Sequence, residues 1–98
     1  MMYRNKKLTQ SAKNHACVSC GANDGTIVWA HSNKYRHGKG RGLKAHDLFG
    51  CYLCHICHTS FDAHEIPKHC TFAVDSIDDW FRLMFERSMI IACENGYL

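Results

Sequence analysis

Two Cys-x-x-Cys turns, Cys17/Cys20 and Cys54/Cys57, constrain this 98-residue chain more than any other feature. That spacing lets two thiolates point at one ion from a tight turn, and a pair of such turns completes a tetrahedral four-thiolate site. A fold that uses them must bring residues 17–20 and 54–57 to one point. A domain of this length buries only ~60–65% of the surface its unfolded chain exposes, so a staple of this kind is expected to add stability that the core lacks. The second half-site has a rival, because Cys51/Cys54 carries the same spacing and the site could slide by three residues. Cys54/Cys57 is preferred, since Cys51 falls in the strand-like stretch "LFGCYL", where a small buried cysteine is ordinary packing. Cys70 and Cys93 have no spaced partner and read as buried or inert thiols.

Seven cysteines and eight histidines in so short a chain mean disulfides in a secreted protein or zinc in an intracellular one. The beginning, "MMYRNKKLTQSAKNHAC", is basic but has no apolar run of the length a secretory signal needs. The most apolar region, Trp80 to Cys93, is interrupted by Arg82, Glu86 and Arg87 well before the ~20 residues of a membrane helix. A soluble cytosolic protein with reduced cysteines, structural zinc and no membrane partner is expected. A thioredoxin-like redox role is disfavoured, because neither Cys-x-x-Cys follows the strand of a βαβ unit.

Charge divides the chain unevenly. Residues 1–44 hold nine Lys and Arg against the single acid Asp24, and residues 45–98 hold three against eight, so the halves stand at +8 and −5 and sum to +3. A basic half of this strength points to a polyanionic partner, of which nucleic acid is the usual case.

The pattern along the chain predicts one domain over residues 1–98, a small α+β unit. Residues 1–14 read as a basic N-terminal arm, mobile or briefly helical. "TIVWAHS", rich in β-branched and aromatic residues, reads as a strand with His31 at its end. The stretch "NKYRHGKGRGLKAHD", with three glycines and five Lys or Arg, suits a loop. "LFGCYL" is a short second strand, and "CHTSFDAHEI" is expected to form a helix of about three turns ended by Pro67. The apolar residues Ile77, Trp80, Phe81, Met84, Phe85 and Ile91 follow helical spacing, predicting an amphipathic C-terminal helix over 76–95 that opens on a Ser76/Asp79 cap.

"CYLCHICHTSFDAH", residues 51–64, holds three cysteines and three histidines, more ligand chemistry than packing requires. With Cys57 closing a knuckle, His58 and Asp62 lie one helical turn apart, close enough to share an ion. The order of strand ending in His31, Gly-rich basic loop, second strand, then Cys-x-x-Cys-His and helix resembles the HNH, or His-Me finger, nuclease unit. "WAHSNKYRHGKGRGLKAHDL", "CHICHTSFD" and "ERSMIIACENGYL" narrow it: from about Cys17 to the C-terminus the chain is similar to the YbcO-type prophage family of small nucleases. The resemblance implies a zinc-stapled ββα-metal fold in a bacterial host cytosol. It also implies His31 as general base, His58 and Asp62 as ligands of a catalytic Mg²⁺ or Mn²⁺, and Cys17, Cys20, Cys54 and Cys57 as structural zinc ligands. Two positions depart from the motif. Ala30 stands where many HNH enzymes have an Asp or His ligand, and the middle Asn is not at its expected place. Asp47 is the nearest polar candidate, either orienting His31 or completing the metal shell.

The chemistry expected of such a site is hydrolysis of DNA phosphodiesters. A histidine near its ordinary pKa of ~6.5 can deprotonate water at neutral pH, and a cation stabilises the charge that develops on oxygen. Lys34, Arg36, Lys39, Arg41 and Lys44 in the Gly-rich loop are the expected phosphate contacts, with the arm from Arg4 to Lys13 as the other candidate footprint. Two competing readings differ in class: a non-catalytic zinc module that binds DNA or a recombination or replication protein, and a protein-only adaptor that uses the C-terminal helix. His31 together with His58 and Asp62 separates them, since a binding module needs no base opposite an open metal site.

Overall fold

The computed structural model describes residues 2–70 and 72–98. Among these residues, three helices and a two-stranded sheet make up the α+β fold: α1 (Lys6–Gln10), β1 (Val28–His31), β2 (Gly50–Leu53), α2 (His55–Asp62) and α3 (Ile77–Glu94), with 3-10 turns at Ser11–Asn14 and Tyr35–His37. The strands run antiparallel in the register Val28↔Leu53, Trp29↔Tyr52, Ala30↔Cys51 and His31↔Gly50. His31 therefore ends its strand beside a glycine. A Cβ on Gly50 would lie 2.8 Å from the Ala30 carbonyl oxygen and closer still to the Trp29 indole. Its absence lets Trp29 lie flat across the strand end and donate its indole N–H to the Asp47 carbonyl at 2.8 Å.

A sheet of two strands cannot hold itself together in water. Here both outer sides are covered. Tyr52 packs edge-on against Trp29, with centroids 4.9 Å apart, and its hydroxyl meets Ser11 at 2.7 Å. The outward backbone groups of Tyr52 also find partners: its N–H donates to the Ser88 hydroxyl of α3 at 3.1 Å, and its carbonyl accepts from Val18 in the first knuckle at 3.0 Å. α3 lays Trp80, Phe81, Met84, Ser88 and Ala92 on the core, capped at its start by Ser76, which accepts from the Asp79 amide at 3.1 Å. The expected stripe is thus largely present, with Ile77, Phe85 and Ile91 at its half-buried margins.

Of the two readings of the N-terminal arm the short helix is the one present, and two other sequence expectations are revised. The N-terminal arm is a docked element: Asn5 caps α1 by accepting from the Leu8 amide at 3.0 Å, and Leu8 is fully buried. α2 has eight residues, not three turns. It stops because His64 takes a left-handed conformation at φ 59°, while the amides of His64 and Glu65 donate back to the carbonyls of Phe61 and Ser60. That is a Schellman closure with histidine in the place glycine usually takes. Cys51 is fully buried, as expected, whereas Cys93 is exposed on α3. Among the described residues no helix is long and apolar enough to cross a membrane.

Candidate metal centre and adjoining cleft

The first knuckle precedes β1 and the second follows β2, so the pairing of the two strands itself brings the cysteines together. The sulfur atoms of Cys17, Cys20, Cys54 and Cys57 lie within 4.8 Å of one another, and those of Cys20 and Cys54 are 3.7 Å apart. Tetrahedral thiolates at the ~2.3 Å zinc–sulfur distance stand ~3.8 Å from each other, so the cluster is compatible with a structural zinc. Burial works to raise the Cys17 thiol, yet backbone hydrogen bonds from Cys54, Cys20 and Ser19 together outweigh it and bring it below its ordinary value. Burial pushes the Cys57 thiol well up. Cys51 stands outside the cluster, and the register that uses Cys54/Cys57 is the one the fold adopts.

Cys54 is also the N-cap residue of α2, so the helix leaves the knuckle directly and places His58 and Asp62 on one face. His58 Nε2 lies 3.3 Å from Asp62 Oδ2, with both side chains partly exposed. They share a cleft of about 650 Å³ with His31, Asp47, Lys39 and Arg4. Among the described residues no third His, Cys, Asp or Glu comes close enough to His58 and Asp62 to complete a three-ligand group. A cation held by this pair would leave most of its coordination sphere to water and substrate oxygen, as Mg²⁺ commonly does.

Asp47 is buried and fully engaged. Its Oδ1 is 2.7 Å from His31 Nε2 and 3.1 Å from Arg4 Nη1, and its Oδ2 accepts the Asn5 amide at 2.7 Å. Burial alone would raise this carboxyl. The hydrogen bonds from His31 and Asn5, the His31 charge and the Arg4 guanidinium outweigh it and hold the pKa below the ordinary aspartate value. An ionised carboxylate only accepts, so His31 Nε2 carries a proton, and in the neutral form of the ring the lone pair is then on Nδ1. Of the two roles open to Asp47 in the sequence, the geometry fits orientation of His31. Arg4 was legible only as one of several basic arm residues. Its other bonds, to the carbonyls of Ala45 at 2.6 Å and Lys44 at 3.0 Å, span 41 and 40 residues and leave no local pattern.

Of the five loop cations, Lys39 and Lys44 line the cleft, and Arg41 borders the groove next to it. Lys34 is instead paired with Asp78 of α3 at 2.7 Å. Arg36 faces a separate apolar hollow beside Phe49 and Phe81. Comparison of the chain with protein-family models, with curated proteins and with solved structures gives no match. The functional reading therefore rests on the site's own geometry.

Proposed function

We propose that this chain is a metal-dependent DNA endonuclease of the HNH, ββα-metal type, with zinc on Cys17, Cys20, Cys54 and Cys57 and a divalent cation, Mg²⁺ or Mn²⁺, on His58 and Asp62. The observation that carries the proposal is the pairing of His31 with a buried carboxylate, at 2.7 Å, in the same cleft as His58 and Asp62. A solvent-facing histidine needs no such partner, whereas a general base gains a fixed tautomer and orientation from it.

In the reaction His31 Nδ1 takes a proton from water as that water attacks phosphorus in line, and Asp47 balances the imidazolium that forms. The cation, when bound, supplies Lewis-acid stabilisation to the phosphate and the departing 3′-oxygen. Lys39, Lys44 and Arg4 offer positive charge to the scissile phosphate and its neighbours. These contacts position a backbone and read no sequence. Prophage origin, and with it a bacterial host, rests on the family resemblance alone.

The test is nicking of supercoiled plasmid by purified protein with Mg²⁺ or Mn²⁺. His31→Ala is expected to cut the rate by roughly 10²–10⁴-fold while zinc content and DNA affinity stay near wild type. His58→Ala should remove the divalent-ion dependence together with activity. Absence of nicking with every divalent ion, or undiminished nicking by His31→Ala, transfers the reading to a non-catalytic zinc module on DNA or a recombination protein.

A further inference from the structure

The cleft continues beyond the catalytic residues. Asn33, Lys39 and Asp62, which line it, also border a second groove of about 580 Å³ whose remaining sides include Tyr35, Arg41 and His64. The two hollows adjoin at these residues as one channel, with Arg4, Lys44, His31 and His58 lining the first part and Arg41 and Tyr35 the second. Its far floor is Gly40 and Gly42, where the lack of side chains lets a backbone approach closely. Among the described residues Lys39, Arg41 and Lys44 make no ion pair.

Tyr35 is 86% exposed, although the turn that carries it is firmly held. On one side Lys34 is tied to Asp78. On the other, the His37 ring stacks on Phe49, with centroids 4.2 Å apart and planes 11° apart, and its Nδ1 meets the Ser32 hydroxyl. The His37 carbonyl accepts from the His46 amide at 2.9 Å. The turn is therefore pinned through the residues flanking a phenol ring that projects outward. A presented aromatic face, unpaired cations and a glycine floor are the ingredients of sequence-tolerant single-strand binding. A duplex offers base edges in its grooves and keeps base faces stacked, so a ring in this position gains a partner only where a base is unstacked.

We infer that the channel takes a DNA strand unpaired at Tyr35, so that the preferred substrate has single-stranded nucleotides on one side of the scissile phosphate. The inference rests on the nuclease reading for where the scissile phosphate lies, but its test needs no cleavage. With His31→Ala protein, fluorescence anisotropy compares a single strand, the same sequence as a blunt duplex, and that duplex interrupted by an unpaired stretch. 2-Aminopurine in the unpaired stretch reports stacking through quenching. Unpaired DNA is expected to bind at least about fivefold more tightly than blunt duplex, with quenching. Adding Tyr35→Ala should abolish both the preference and the quenching and leave duplex affinity unchanged, whereas Tyr35→Phe should retain them. Equal affinity for paired and unpaired DNA, or a preference that survives Tyr35→Ala, overturns the inference while leaving the nuclease reading intact. Failure to bind any of the three DNAs overturns both.

Discussion

At the scale of single residues, Asp47 is the pivot, because it converts three separate sequence signals into one arrangement. It takes its backbone position from Trp29, its charge balance from Arg4 and a further hydrogen bond from the Asn5 amide, and gives His31 its orientation. Asp47→Asn should preserve the shape and lose the acceptor-only carboxylate, lowering nicking by on the order of 10²-fold or more, as removal of a base-orienting carboxylate does elsewhere. It should also change the acid limb of stability. Because the folded carboxyl titrates below its unfolded value of ~3.9, its stabilisation is complete above that pH and is lost as pH falls through the lower folded value. Thermal unfolding of wild type and Asp47→Asn between about pH 6 and about pH 3 checks this. Cysteine protonation affects both proteins alike, so a wild-type midpoint that falls no more than the variant's would count against the role. His58 and Asp62 could be paired from their spacing, and His31 is joined to them through the family resemblance. The Arg4 partnership could not be read in either way, because it depends on where a distant segment docks.

At the scale of elements, strand and helix identities were readable because alternation and helical spacing are local properties. β1, β2 and α3 lie inside the segments their patterns predicted. The early end of α2 was not readable, since His64 serves as a left-handed terminator without being glycine. Nor was the task of Ser88, a polar residue in the middle of an apolar stripe. It donates to the Met84 carbonyl at 2.8 Å and accepts the outward amide of Tyr52, thereby closing an edge of the sheet. Ser88→Ala leaves that buried N–H without a partner, at a cost of about 1–3 kcal/mol. Chemical denaturation should register the loss, and hydrogen exchange should show the Tyr52 amide losing protection more than its neighbours in β1. Unchanged protection at that amide would mean that another group replaces the hydroxyl.

At the scale of the whole molecule, the four clustered cysteines are compatible with a structural zinc, and such an ion is expected to decide whether there is a fold. A structural zinc contributes roughly 10–16 kcal/mol of apparent binding free energy, against a net stability of about 5–15 kcal/mol for an ordinary domain. Removing it from a two-stranded sheet under three helices should therefore unfold the chain. Elemental analysis is expected to find one zinc per chain, and a strong chelator should abolish the cooperative thermal transition. Cys51→Ala should keep the metal, while Cys57→Ala should lose it, which distinguishes the adopted knuckle from its shifted rival. A metal-free chain that still melts cooperatively would sink the assignment. The unequal charge of the two halves acts at this scale too. Lys34–Asp78 and Arg4–Asp47 join the basic half to the acidic one, and Lys39, Arg41 and Lys44 remain open to a polyanion.

Asn5 has one further consequence. Its backbone amide holds Asp47, while its side-chain amide donates to the Tyr97 carbonyl at 2.8 Å. Tyr97 in turn meets His15 through its hydroxyl at 2.8 Å. The first and last turns of the polypeptide thus fasten like a clasp on a single asparagine, one residue's backbone away from the carboxylate that aims His31. A disturbance at Tyr97 is thereby handed through Asn5 to Asp47, so a residue outside both the cleft and the knuckles has a route to the orientation of His31.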